Sequence, residues 1–338
     1  MKNTKLLDTH AFYNLSRYCF LNIEYNYSSV VEESGITLPQ LRILWILKAF
    51  PGISVGEIAT MGYWTCPTVT NILKILAKKQ LVIKEDTVNR KLYKLNVTAE
   101  GEKFIDINKQ GKSNNFHLFD LLNLFNEDEL DFIVNFYKGI IIKCGEEHIF
   151  EYVDRINSLS LKVDYTKFSI LEAKKIKKLV FFYNTLRIFI LHMERDHSLL
   201  LKDLNLTYPQ LRALWIIEAF PGINSRTLSS LAFWAPSTAN LVVKNLYAKD
   251  LIFKEKSSVK NSLYLYINSK GEEILIEDFK LNSERLVIHD YLKGIEGKTL
   301  DKINDYLYTI NKKLRNNMVE IYLEKTHEIL ENYYDKFK

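Results

Sequence analysis

Chain breakers are scarce in this sequence. Its 338 residues include only 12 glycines and six prolines, and an abundance of Leu, Ile, Lys and Glu favours helix. A helix-rich protein is the expectation. Cysteine is rarer still. Cys19, Cys66 and Cys144 are odd in number, far apart and without a Cys-x-x-Cys pair, which argues against a disulfide framework and against a zinc ribbon. The seven histidines show no zinc-type spacing either; His192 and His197 stand five apart, where one helix face needs four. Long apolar runs are also lacking. The most apolar stretch, Leu179 to Met193, is broken by Asn184 and Arg187 and falls short of the ~20 residues a membrane span needs. No apolar segment follows the charges at the N-terminus, so no signal peptide is read there. These absences point to a reducing cytoplasm and away from a membrane.

What is present is ordinary globular material, 47% hydrophobic and 26% charged, enough for more than one core. Its arrangement is repetitive. The segment Pro39 to Ile53 recurs as Pro209 to Ile223, offset by 170, with 12 of 15 positions identical. The same offset pairs Trp45 with Trp215, Trp64 with Trp234, Thr68 with Thr238, Lys74 with Lys244 and Gly101 with Gly271. The chain therefore reads as two copies of one unit, 1–160 and 168–338, and the unit is far too long for a solenoid repeat.

Each copy divides into the same elements. A long first helix is expected over Thr9 to Glu33 and over Phe168 to Leu201. A second opens at Leu38-Pro39 and at Tyr208-Pro209, since proline suits the first turn. In it Leu41, Leu44 and Trp45, and again Leu211, Leu214 and Trp215, form a buried stripe. Pro-Gly ends both. A short helix follows (Val55 to Met61; Arg226 to Leu231), then another from Pro67 to Lys79 and from Pro236 to Lys249. The period then becomes alternating, giving strands over Leu81 to Glu85 and Leu92 to Val97, and over Leu251 to Lys256 and Leu263 to Ile267. Two long helices close each copy: Ala99 to Leu124 and Glu127 to Asn157, then Ser269 to Leu292 and Lys298 to Tyr334.

Three short helices and a β-ribbon make the winged helix arrangement, in which the third helix enters the major groove of DNA and the wing reaches the flanking backbone or minor groove. The third helix carries Thr65, Thr68, Thr70, Asn71, Lys74 and Lys78 in the first copy, and Ser237, Thr238, Asn240 and Lys244 in the second. Hydroxyls and amides serve phosphates and base edges alike, and lysine serves phosphates. The wings add Arg90 and Lys91, and Lys260. Lys74 to Lys94 holds seven basic residues against two acidic ones, a local +5, while residues 1–168 are neutral at twenty against twenty. Lys244 to Lys260 holds five against two, a local +3. Such patches are electrostatic footprints for phosphate.

The run from Gln40 through Gly101 resembles the MarR family of regulators, in particular its Hpr/ScoC-like branch. Gly52 to Ala59 before the third helix, Thr68 to Leu76 within it, and the wing residues Asn89-Arg90-Lys91 with Val97-Thr98-Ala99-Glu100-Gly101 carry the likeness. The second copy departs further, with Val259-Lys260-Asn261 and Ile267 to Gly271. The resemblance implies dimers joined through terminal helices, so this chain looks like such a dimer fused into one polypeptide. It also implies an aromatic-lined effector pocket, for which the 20 tyrosines and 19 phenylalanines would serve; core packing accounts for them equally, and no effector is assigned.

Two other signals have plainer explanations. Gly52-Ile53-Ser54-Val55-Gly56 matches the nucleophile-elbow pattern, but a helix precedes it and the second copy lacks it, so Ser54 reads as a helix N-cap. Cys66 begins the third helix, where thiols become reactive; its counterpart is Pro236, and a passive residue is the simpler reading. The reading is then a mainly α, tandem winged helix-turn-helix protein acting as a single-chain pseudo-dimer, monomeric in solution. It binds duplex DNA at an imperfect palindrome, without catalysis, cofactor or metal. The alternative is an interaction module in which one or both winged helices dock a partner regulator.

Overall fold

The computed structural model describes residues 2–86, 93–109, 121–160, 169–256, 263–285, 287–314 and 317–336. The chain is mainly helical. A long helix, α1 (Lys2–Glu32), leads to α2 (Leu38–Ala49), α3 (Val55–Gly62) and α4 (Cys66–Lys78), then to β1 (Val82–Asp86) and β2 (Tyr93–Val97). Helices α5 (Ala99–Lys109), α6 (Glu127–Lys143) and α7 (His148–Ser160) follow. The order then recurs: α8 (Ile170–Leu200), α9 (Tyr208–Ala219), α10 (Ser225–Ala232), α11 (Pro236–Ala248), β3 (Ile252–Lys256) and β4 (Leu263–Ile267). Four helices close the chain, α12 (Ser269–Arg285), α13 (Val287–Lys293), α14 (Gly297–Lys313) and α15 (Asn317–Lys336).

Local chemistry sets the boundaries. Thr37 N-caps α2 with the Gln40 side chain reaching back to its amide, Thr207 and Gln210 do the same for α9, and both helices have proline in the first turn. Ser54 caps α3 in a capping box with Glu57, and Asn224 caps α10. At the Pro-Gly turn, Gly52 and Gly222 adopt φ of +80° and +82°, the left-handed region that glycine reaches without strain. That turn lays the chain against the ribbon. The Gly52 amide donates to the Leu95 carbonyl (3.1 Å) and the Gly222 amide to that of Leu265 (2.9 Å), while the Leu265 amide returns a bond to Ile223 (2.9 Å). The ribbons themselves are antiparallel, with Val82 opposite Val97 and Ile252 opposite Ile267.

The chain forms two compact units that do not follow its halves. One is Ile23–Phe189; the other joins Met1–Asn22 to Ile190–Lys338. Both divisions fall inside the long helices α1 and α8. In the first unit Ile43, Leu44, Ile58, Val69, Leu76 and Leu95 are buried; in the second the matching core is Ala213, Leu214, Leu228, Ala239, Leu246 and Leu265.

Several expectations need correction. The long first helices start at Lys2 and Ile170 instead of Thr9 and Phe168. Trp45 and Trp215 are only half-buried, and the Trp215 indole donates to Asp278 at 3.0 Å, as an amphipathic ring at a core edge does. The expected helix over Glu127 to Asn157 breaks after Lys143: Gly145 takes φ +71° and the Glu146 amide caps Ile141 at 3.1 Å, a glycine-terminated helix end. The helix expected to reach Leu124 is described only to Lys109, and residues 121–124 form a short turn. The expected Lys298 to Tyr334 helix is two, α14 and α15.

Candidate nucleic-acid interface

Helix α4 shows one apolar face and one polar face. Val69, Leu73 and Leu76 are buried, and the opposite side exposes Thr68, Asn71, Lys74, Ile75 and Lys78. Spacings of three and four residues put Thr68, Asn71, Lys74 and Lys78 on one stripe. Thr70, expected among them, is half-buried, because it stands at the edge of the buried face, one turn before the core residue Leu73. Thr65 is the N-cap: its Oγ1 accepts from the Thr68 amide (3.4 Å) and lies 2.9 Å from the Thr68 hydroxyl. Both hydroxyls therefore sit at the positive end of the helix dipole, where phosphate is favoured. Cys66 is exposed in the same turn.

In α11, Ala239, Val242, Val243 and Leu246 are buried, and Ser237, Thr238, Asn240, Leu241 and Lys244 are exposed. The N-cap is Ala235, which has no side-chain cap. Asn240 is drawn aside, since the Ser225 hydroxyl at the start of α10 donates to its side-chain oxygen at 2.5 Å.

The ribbons carry the remaining basic residues. Lys84 and Lys94 are exposed on β1 and β2. On β3, Lys254 lies 4.4 Å from the ring centre of Tyr247. Lys79 and Lys249, counted above in the basic runs, instead donate to the backbone carbonyls of Gly35 and Asn205. They tie the end of the third helix to the turn before the second. Arg90, Lys91 and Lys260 lie outside the described residues.

Behind each third helix is a buried charge cluster that sequence reasoning missed. In the Ile23–Phe189 unit, Arg42 donates to Glu24 and to Tyr183, and Tyr183 donates to Glu24. Arg187 lies over the Trp64 ring (5.8 Å) and donates to the Gly62 carbonyl at 2.7 Å. Burial, with Arg42 close by, pulls Arg187 down to about 10, so it stays charged at neutral pH. In the other unit the two arginines exchange roles. Arg17 meets Glu194 (2.8 Å) and donates to Tyr208 and to Tyr13 (3.1 Å). Arg212 lies over Trp234 (5.1 Å) and donates to the Ala232 carbonyl at 3.1 Å. Each cluster thus sets two guanidiniums against one carboxylate, and one arginine braces the turn that aims the third helix. The signal was available: Tyr13, Arg17, Glu24 and Arg42 recur at the 170 offset as Tyr183, Arg187, Glu194 and Arg212. In the second of these units, a cleft lined by Tyr13, Arg17, Tyr208, Arg212, Trp215 and His289 opens beside the cluster.

Ser54 is occupied as a cap. Its Oγ accepts from the Glu57 amide (3.3 Å), while its own amide (2.9 Å) and hydroxyl (2.6 Å) donate to the Glu57 carboxylate. His192 pairs with Asp196 at 3.2 Å and His197 with the Met193 carbonyl at 2.9 Å. Among the described residues no group of three His, Cys, Asp or Glu could hold a metal, and no helix is long and apolar enough to cross a membrane.

Helices α2 to α4 closed by the β1–β2 ribbon, with a polar stripe outward on the third helix, define a winged helix-turn-helix. Residues 36–91 match the model of the MarR family. The chain is similar to the HTH-type transcriptional regulator Hpr of Exiguobacterium sibiricum, 29% identical over 102 residues, covering 30% of this chain and 53% of that protein. It is also similar to the uncharacterized HTH-type transcriptional regulator YsmB of Bacillus subtilis, 26% identical over 104 residues, covering 30% of this chain and 68% of that one. The chain thus spans about half the length of the Hpr regulator it matches. The crystal structure of the transcriptional regulator SlyA aligns with a TM-score of 0.33 at 21% identity, covering 38% of this chain and 87% of that one.

Proposed function

We propose that the protein is a sequence-specific transcription regulator that binds double-stranded DNA with two winged helices carried on one chain, as a single-chain pseudo-dimer. One observation carries the reading. Helix α4 and helix α11, 170 residues apart, each turn an apolar face to a core and a hydroxyl- and lysine-bearing face to solvent. The threonine and the lysine of that face stand at matched places in both copies, Thr68 with Thr238 and Lys74 with Lys244, two residue types suited to phosphate and base edges. Thr65, Thr68, Asn71, Lys74 and Lys78 with the wing residues Arg90 and Lys91 serve one half-site, and Ser237, Thr238, Lys244 and Lys260 the other. Thr70 and Asn240, half-buried and side-bonded respectively, lie at the margins of these surfaces.

The names of the similar proteins support regulation of transcription, and the exposed lysines support a polyanionic partner. The two surfaces differ in side chains, so the target is an imperfect palindrome. The test is a gel shift of the whole chain on fragments of its own genome at low and moderate salt. Discrete shifted fragments that survive excess random duplex are expected. Failure to retard any fragment at low salt would remove the reading.

A further inference from the structure

The two recognition surfaces differ at the centre of the outward stripe. Asn71 on α4 and Leu241 on α11 occupy the same place at the 170 offset, and both are exposed. Leu241 is 59% exposed, on the outward face between Ser237 and Lys244, one turn from each. A leucine so exposed in the middle of a hydroxyl- and lysine-bearing stripe has no packing role in its own helix, whose buried positions are Ala239, Val242, Val243 and Leu246.

We propose that Leu241 is a specificity residue that reads the 5-methyl group of thymine, at the position where Asn71 in the other copy reads an adenine edge. The inference rests on the DNA-binding reading above and names what each half of that surface recognises. In the major groove the only apolar feature of any base is the thymine C5-methyl, and an aliphatic side chain is its natural partner. An amide, with one acceptor and one donor pair, matches adenine N6 and N7 in a bidentate contact. The neighbouring asparagine, Asn240, is drawn toward the start of α10 in the second copy, where its side-chain oxygen accepts from the Ser225 hydroxyl. The first copy has Val55 and Thr70 at these two places and no such diversion. The two half-sites therefore differ at the base pair that faces the centre of the helix: adenine under Asn71, thymine under Leu241.

The experiment uses the full chain and a pool of duplexes with a randomised core. Repeated selection is expected to enrich a two-part motif with adenine in one half and thymine at the corresponding position of the other strand register. The selected duplex is then remade with uracil for that thymine, which removes one methyl and nothing else. Wild-type affinity should fall about fourfold, the worth of one buried methyl-sized group, ~0.8 kcal/mol at about 1.4 kcal/mol per tenfold. Leu241→Asn should bind the uracil and thymine duplexes equally and shift selection toward adenine in that half. Asn71→Leu should bring a uracil penalty to the other. Both positions are exposed, and the uracil comparison needs no variant at all. Enrichment of a motif that tolerates uracil without loss would overturn the assignment of Leu241 alone. Enrichment of no duplex, by chain shown to be folded, would overturn the DNA reading together with it and leave α11 as a protein-docking face.

Discussion

Gly101 and Gly271 show how tightly single residues are held. A Cβ at Gly101 would lie 2.3 Å from the Leu81 carbonyl oxygen, and one at Gly271 would lie 2.3 Å from that of Leu251. The obstacle is backbone in both cases, at the point where the ribbon begins, so it cannot swing aside as a side chain would. Gly101→Ala should destabilise the protein by about 1–3 kcal/mol, the usual range for overpacking, read as a lower urea midpoint; an unchanged midpoint would contradict the contact. Three histidines set a pH dependence. Burial holds His10 down to about 3 and His197 and His289 to about 4, with neighbouring histidines and cations adding to it. Unfolded histidine titrates near 6.5, so below that pH the unfolded chain takes up protons that the folded one refuses. Their contribution is complete above about 6.5 and is lost as pH falls toward 4, at up to ~1.4 kcal/mol per unit for each histidine fully titrating in the unfolded state. Urea midpoints at pH 7 and pH 5 should differ accordingly. His197→Gln should weaken the dependence, and equal midpoints at the two pH values would refute it.

Among the elements, α3 and α4 carry the clearest expectations. Ser54→Ala removes one cap and should cost about 1 kcal/mol of stability while leaving DNA affinity and any background ester hydrolysis unchanged; serine-dependent turnover would overturn the capping role. Lys74 on the polar stripe should behave in the opposite way. Lys74→Ala should leave stability nearly intact and lower the salt slope of DNA binding by about one phosphate's worth, measured by titration at several salt concentrations. These elements were legible because their signals are local: Thr37 with Gln40, Ser54 with Glu57, and proline in a first turn all act within four residues. The break at Gly145 was not. Apolar spacing runs on across it from Ile140 and Ile141 to Ile149 and Val153, and periodicity alone cannot tell a continued helix from two. Likewise the polar face of α4 was legible as a set, yet Thr70 falls at its edge, one turn from buried Leu73 on one side and exposed Lys74 on the other. The arginine clusters were only half legible. The recurrence of Tyr, Arg, Glu and Arg at the 170 offset marks the residues, but Arg17 and Arg42 meet carboxylates far from them along the chain, and only folding says which.

For the whole molecule, DNA affinity should fall steeply with salt. The exposed lysines Lys74, Lys78, Lys84, Lys94 and Lys244 would alone give a log–log slope of about −4.5 if each neutralises a phosphate. A slope near zero would be incompatible with a phosphate-contacting surface. Sedimentation equilibrium should return the mass of a single 39.7 kDa chain, and a stable species of twice that mass would count against internal pairing.

The division of the chain into Ile23–Phe189 and Met1–Asn22 with Ile190–Lys338 makes the two copies mutual lenders. The first copy gives up its opening 22 residues, and the second gives up Ile170–Phe189, each to the unit built on the other. A polypeptide cut between Ser160 and Ser169 would yield two fragments, each carrying a helical segment whose core is elsewhere and lacking one it needs. Made separately they should be poorly folded; made together they should reconstitute and copurify. Inheritance is constrained in the same way. Deleting either copy should therefore leave the other poorly folded, and a change at Tyr13 or Arg17 should be felt in the unit built on Ile190–Lys338. The two units can diverge in their surfaces, yet each draws its helices from both parts of the chain.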